Sequence, residues 1–376
     1  MEDLGPKAKW TVTQPWRGIF GFIITVCYVM VITSIFEVQY FLSFYTLLIM
    51  AMVPILVVTS LGWRAKYPPT NGIPQPWKGM FLTGFVILLG TLVATGVKSF
   101  LSGGAAQPFT NIYLISTVLT TFFLVVAFGM WPFEKLSFGA KGWFTMILAF
   151  VLMWFLLKLY NFSLLSFPAG VIPSPVKPVP FYAPGGPFQQ FADIAPHGPF
   201  RWECALAFYF WMLVFLFVFI NLGMWPYTKF PKLMKQQPLF GIVFTIVCFI
   251  LGWIAYTIAV NMLNVEPLNF LLAGICWAFG VLLIMTMLQM WPGRAFKQPA
   301  WGFVNILLAI VFGIVAYYPY KAFALWNFGK EAMAYPNGIF IIANMMLGIT
   351  FPAWVAYSDF FDFWPLPPTP PPPDSK

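Results

Sequence analysis

Ten long apolar runs, separated by short connections that are polar or basic, account for nearly the whole chain. About 20 apolar residues cross the hydrocarbon core of a bilayer as a helix. The runs at 16–36, 40–63, 77–97, 110–131, 143–160, 202–225, 239–261, 267–291, 301–323 and 338–363 all reach or approach that length. The expected fold class is therefore all-α: a polytopic transmembrane helical bundle of about ten spans. Several runs exceed the minimum and have room to tilt. No stretch between them is large enough for a separate soluble core, so one membrane domain is expected over 16–365. A leader would occupy 1–15 and a disordered, proline-rich cytoplasmic tail 366–376.

Composition agrees with the pattern. Of 376 residues, 60% are hydrophobic, 20% aromatic and only 8% charged, against roughly a quarter charged in a soluble domain. The connections alternate in character. One set carries Lys7, Lys9, Arg17, Arg64, Lys66, Lys78, Lys135, Lys141, Lys229, Lys232, Lys235, Arg294, Lys297 and Lys376, which is 14 of the 20 basic residues. Basic residues collect in cytoplasmic loops, so both termini are assigned to the cytoplasm, in a bacterial or archaeal cell membrane rather than an organelle. The formal charge of +9 is thus a topology signal; the bilayer is the expected partner and nucleic acid is not. The first run follows a lysine-bearing leader without a small-residue cleavage pattern, so it is expected to remain as the first span.

Two short motifs recur. Gln-Pro-x-x-Gly opens odd-numbered spans at Gln14-Pro15-Trp16-Arg17-Gly18, Gln75-Pro76-Trp77-Lys78-Gly79, Gln237-Pro238-Leu239-Phe240-Gly241 and Gln298-Pro299-Ala300-Trp301-Gly302, with a degenerate copy from Phe138 to Gly142. Even-numbered spans close on Trp131-Pro132, Trp225-Pro226, Trp291-Pro292 and Trp364-Pro365, and the first unit carries an eroded copy at Gly62-Trp63. Proline at a helix start loses no hydrogen bond, and proline after the last turn stops a helix. Tryptophan suits the headgroup zone, being apolar with one polar edge. Trp16, Trp77 and the four Trp-Pro pairs are accordingly expected as interfacial anchors and helix stops. The repeat predicts five two-helix hairpins, each an odd span followed by an even one, able to close into a ring around a central pore. That count resembles the ten-helix plan of the tellurite-resistance and slow-anion-channel transporters, a likeness of fold and not of motif.

Candidate chemistry is sparse. Ionisable residues inside a membrane are costly and often functional, but here they sit near span ends: Glu37, Lys98, Lys158 and Lys321 at the outer ends of odd spans, and Arg201 and Glu203 opening the sixth. Lining a ring, Glu37, Lys98, Lys158, Lys321 and Arg201 would form a basic outer mouth favouring anions; the alternative is that the lysines snorkel to the headgroups. Asp359 and Asp362 lie near the inner end of the tenth span. Uncharged polar residues within spans are Thr25, Thr91, Thr95, Thr120, Thr121, Asn221, Thr245, Thr257, Thr286, Gln289, Asn305 and Asn344; they either line a solute path or hydrogen-bond between helices and back to carbonyls. Small residues on odd spans, Gly84, Gly90, Gly302 and Gly313, suggest close helix approach. The cysteines, Cys27, Cys204, Cys248 and Cys276, form no CxxC pair, and His197 is the single histidine, so neither metal nor haem is expected. No catalytic cluster is visible, and neither enzymatic activity nor a cofactor is expected. Residues 161–201 form the one long loop, proline-rich and extended, a candidate lid or docking surface.

These features predict an integral membrane transport protein, a channel or facilitator for a small anion or neutral solute. The rival is a non-catalytic anchor or scaffold subunit of a larger membrane complex, or a homo-oligomer. A polar-lined axis would favour transport and a dry, aromatic-filled one the scaffold. With the four native cysteines replaced, Pro180→Cys is expected to react with an impermeant thiol reagent from outside intact cells, and Ala295→Cys only after lysis; the opposite pattern inverts the topology.

Overall fold

The computed structural model describes residues 13–162 and 181–367. The tail from 368, most of the leader and residues 163–180 of the long loop lie outside the described residues. Among the described residues, ten helices are long and apolar enough to cross a membrane: α1 Trp16–Ser34, α2 Val38–Gly62, α3 Trp77–Phe100, α4 Pro108–Ala127, α5 Phe138–Leu157, α6 Trp202–Asn221, α7 Leu239–Met262, α8 Pro267–Thr286, α9 Ala300–Ala332 and α10 Asn337–Phe360. They make an integral membrane protein with almost no sheet; Tyr160–Asn161 (β1) pairs in parallel with Phe200–Arg201 (β2).

Odd and even helices occupy different places. Over an apolar 18-residue stretch of each helix, only 28–33% of residues are buried in the odd helices, against 67–83% in the even ones. The even helices touch in the closed order α2, α4, α6, α8, α10 and back to α2, and the odd helices lie outside them. In lipid, helices associate through close packing and not through expulsion of water. The odd helices therefore bury a single stripe rich in small residues, such as Gly302, Asn305, Ala309, Gly313, Ala316 and Tyr320 on α9, and leave large apolar side chains facing outward, such as Leu307, Val311 and Val315.

The intimate pairs are α2 with α3, α4 with α5, α6 with α7 and α8 with α9, while α1 packs on α10. This differs from the pairing expected from the repeat, in which each odd span would pack on the even span after it: α1 and α2, joined by three residues, make little contact. Helices α5, α7 and α9 also reach the even helix three places back in the chain, and α1 and α3 complete the pattern around the ring by meeting the ends of α8 and α10. The motif glycine makes that approach possible. A Cβ on Gly79 would stand 2.4 Å from the Phe361 ring, on Gly142 2.3 Å from Trp63, on Gly241 2.4 Å from Phe128, on Gly302 2.7 Å from Leu222 and on Gly18 2.6 Å from the Met287 carbonyl.

The motif glutamine bonds to the same helix ends. Gln14 Nε2 donates to Met287 O (2.9 Å), Gln75 to Phe360 O (2.7 Å), Gln237 to Ala127 O (2.9 Å) and Gln298 to Leu222 O (3.4 Å). In three copies the amide oxygen also accepts from the motif glycine N–H, at 3.2–3.3 Å. One side chain thus satisfies an orphan N–H at the start of its own helix and a carbonyl at the end of another. In the degenerate copy the direction reverses: Trp63 Nε1, at the end of α2, donates to Phe138 O at 2.9 Å.

The even helices stop on paired left-handed residues: Arg64 and Ala65, Gly129 and Met130, Gly223 and Met224, Gln289 and Met290, Asp362 and Phe363. Such residues end a helix by turning its last carbonyls toward new donors, so the break precedes the Trp-Pro step that the sequence suggested as the stop. The pairing also moves the register of the first unit. Trp63 corresponds to Phe128, Leu222, Leu288 and Phe361, not to the exposed Trp131, because these are the residues that meet or neighbour the motif glycines. Arg17 ties the two ends of the described chain together. It is 1% exposed, donates to the carbonyls of Asp362 and Pro367 at 3.0 Å, and lies 4.7 Å from the Phe363 ring.

Gly313 of α9 meets the Cys276 carbonyl of α8, with room for no Cβ at 2.0 Å, whereas Gly84 faces open space, contrary to the expectation that it permits close approach. Gly313→Ala is expected to destabilise the purified protein by about 1–3 kcal/mol through overpacking, read as a lower unfolding temperature in detergent. Gly84→Ala is expected to be neutral or slightly stabilising, since alanine favours a helix by about 0.5–1 kcal/mol over glycine; equal losses at both sites would refute the packing assigned to α8 and α9.

Candidate functional site: an axial cavity

All five even helices contribute to one cavity of about 610 Å³, within the range of about 300–1,000 Å³ usual for small-molecule sites. On α2 its wall runs from Gln39 to Val53, on α4 from Pro108 to Phe122 and on α10 from Asn337 to Phe351. Fourteen helical steps of about 1.5 Å give a depth of about 21 Å. The wide end lies where the even helices begin, beside Phe181, Pro187 and Phe188 of the long loop.

The far end is closed by aromatic rings. Phe122 meets Phe217 edge-to-face at 5.0 Å and Phe351 at 6.0 Å. Between floor and mouth the wall is Val118, Leu119, Leu213, Ile275, Leu282 and Leu347. Polar side chains are confined to the mouth half: Gln39, Ser43, Thr46, Asn111, Asn337 and Asn344. Ser43 Oγ donates to Gln39 O at 2.6 Å, and Asn344 Nδ2 donates to Thr46 Oγ1 at 2.8 Å and Thr46 in turn to Phe41 O at 2.6 Å. Asn111 donates to Leu42 O at 3.3 Å, and its Oδ1 is buried without a partner. Among the described residues, no ionisable side chain lines the cavity.

Aromatic contacts hold the described part of the loop over this mouth. Phe181 stacks on Trp202 at 5.6 Å and approaches Phe340 at 6.5 Å. The Tyr182 hydroxyl accepts from Phe109 N–H at 3.2 Å and donates to Gln107 Oε1 at 3.4 Å. Burial raises this phenol above its ordinary range, which keeps it a neutral donor. A second hollow of about 510 Å³ lies between the α1–α2 connection and α9, lined by Ser34 to Gln39 with Asn327 and Phe328. Gln39 borders both spaces.

The charges expected to ring a mouth are elsewhere. Because the even helices are the inner ones, these residues belong to the outer layer: Glu37 just beyond α1, Lys98 and Lys158 at the ends of α3 and α5, and Lys321 within α9, which continues to Ala332. Glu37, Lys158 and Lys321 are exposed, and the lysine ammonium groups lie 5.5–5.7 Å from rings, Lys98 over Phe44, Lys158 over Phe155 and Lys321 over Tyr317. Arg201 is 9% exposed and donates through Nε to Glu203 Oε1 at 2.9 Å. Trp16, Trp77, Trp131, Trp291 and Trp364 are exposed at the face where the motifs gather, with Trp225 partly so, and Pro132, Pro226, Pro292 and Pro365 follow the left-handed stops.

Of the in-span polar residues, Asn344 alone lines the cavity. Thr91, Thr121, Asn221 and Thr286 bond back to carbonyls of their own helices. Thr25 bonds back and accepts from Trp354, Thr120 bonds back and pairs with Tyr209, and Asn305 accepts from Gly293 N–H. The cysteines are all free and, among the described residues, no group of His, Cys, Asp or Glu is placed to hold a metal ion. The sequence reading missed Gln39, Ser43, Thr46, Asn111 and Asn337. Their common signal was position, near the starts of even runs, and that mattered only once the even helices were known to be central.

Comparison with protein-family models, curated proteins and solved structures finds no match to this chain. The likeness to the ten-helix transporters therefore rests on helix number alone.

Ile115→Cys and Leu347→Cys are expected to react with a small uncharged thiol reagent from the loop face, and about tenfold more slowly with a charged one of similar size. Val57→Cys, at 1% exposure beyond the aromatic floor, is expected to stay unreactive. Equal reactivity at all three positions would mean that the floor is not closed.

Proposed function

We propose that this protein is a membrane facilitator or channel for small neutral solutes, built as five helix-pair repeats closed into a ring, with both termini cytoplasmic and the wide end of the cavity facing outward. The observation that carries the reading is the axial cavity to which every even helix contributes and, among the described residues, no ionisable side chain does. An unpaired anion moved from water into such a wall loses its hydration with no cation to offset the loss, so the neutral half of the sequence expectation is kept and the anion half set aside. The chemistry of the wall supports passage or binding and supplies no general acid, base or nucleophile, so no catalytic activity is proposed.

A scaffold or anchor subunit in a larger membrane complex is the second reading, favoured by the Phe122, Phe217 and Phe351 floor, which closes the axis. Flux into proteoliposomes containing only this chain separates the two. Neutral solutes are expected to enter faster than into empty vesicles, and Phe217→Ala to raise the rate at least severalfold. Chloride and nitrate are expected to show no protein-dependent entry, and Lys98→Ala, Lys158→Ala and Lys321→Ala to leave the rates unchanged. Absence of flux from well-folded wild type and Phe217→Ala alike would favour the scaffold.

A further inference from the structure

The cavity is not uniform along its depth, and the gradient specifies a ligand more narrowly than neutrality does. All six of its polar side chains lie in the half nearer the mouth: Gln39, Ser43 and Thr46 on α2, Asn111 on α4, Asn337 and Asn344 on α10. Below Thr46 and Asn344 the described wall is aliphatic and phenyl side chains with the thioether of Met50, down to Phe122, Phe217 and Phe351. A water column in that lower half would find no polar partners, whereas an alkyl chain would exchange water contact for apolar contact at about 25 cal/mol per Å². The depth of about 21 Å suits a long, narrow tail.

The mouth half specifies the head. Carboxamides and hydroxyls both donate and accept and carry no charge. Asn111 borders this half and already donates to Leu42 O. A hydroxyl or amide head can both donate to and accept from such groups, whereas a carboxylate or phosphate would bring an unpaired charge into a wall whose described residues carry none. Access is suggested by Gln39, which borders both the cavity and the open hollow beside Glu37 and Phe328. Phe41 and Phe328, 5.3 Å apart, place that hollow between α2 and the outward-facing α9, on the route a molecule leaving the bilayer would take.

Resting on the facilitator reading above, we infer that the cavity binds an uncharged single-chain amphiphile taken from the membrane, its hydroxyl or amide head held among Gln39, Asn111 and Asn337 and its alkyl tail directed at the phenylalanine floor.

The test is photolabelling in nanodiscs with a hexadecanol analogue carrying a terminal diazirine, mapped by peptide mass spectrometry. Labels are expected on floor-proximal residues of the even helices, around Leu213, Phe217 and Leu282. An excess of hexadecanol should suppress them, and an excess of deprotonated hexadecanoate should not. Asn111→Leu is expected to lower labelling of these peptides about tenfold, and Phe217→Trp, which shortens the tail pocket, to shift labels toward the mouth with the protein still folded by its unfolding temperature. Labels confined to the lipid-facing odd helices, or equal competition by the carboxylate, would overturn the inference. Labelling without solute flux would leave the amphiphile site standing and remove the facilitator; flux of small solutes without cavity labelling would do the reverse.

Discussion

A helix that ends near or within a membrane leaves amide and carbonyl groups that have little water to turn to, and the glutamine ahead of four odd helices answers that constraint. Gln75 illustrates it: its amide nitrogen holds the Phe360 carbonyl at the end of α10, while its oxygen receives the Gly79 N–H. The bond can form only because Gly79 lets α3 lie against the Phe361 ring. Glutamine and glycine are therefore two halves of one contact, which recurs where four of the odd helices meet the end of a second even helix. Where the glutamine is missing, ahead of α5, Trp63 supplies the hydrogen bond from the opposite side.

That contact places the odd helices outside and leaves the even ones to meet each other. The consequence is the axial cavity, since five helices packed around a common axis leave space that their side chains fill only in part. The fill is uneven: Phe122, Phe217 and Phe351 close one end, and short amides and hydroxyls border the other. The buried pair of Arg201 and Glu203 and the aromatic stack around Trp202 then fix the described part of the loop beside the open end. The functional reading follows from this distribution of polarity and owes nothing to any single reactive residue.

Much of the fold was legible in the chain. Ten apolar runs became ten helices with boundaries shifted by a few residues, because a helix of that length in lipid has no alternative that satisfies its backbone. Helix α5 starts at Phe138 and not near 143, and α9 continues to Ala332, through a kink at Gly329. The motif glutamines were visible as a repeat but not as a clamp, since their acceptors lie 76 to 285 residues away.

What the sequence determined by itself was local: which segments are long and apolar enough to span, roughly where each begins and stops, and that few ionisable residues fall within them. What only the tertiary structure decided was which helices are central. Odd and even runs are similarly hydrophobic, and lipid and protein interior are chemically alike to an apolar side chain, so hydrophobicity could not assign the faces. Packing decided it, through stripes of small residues such as Gly302, Asn305, Ala309 and Gly313 that fit against a neighbour. With that choice the lysines moved to the periphery, and Asn111, Thr46 and Asn344, separated by up to 298 residues, came to share one cavity.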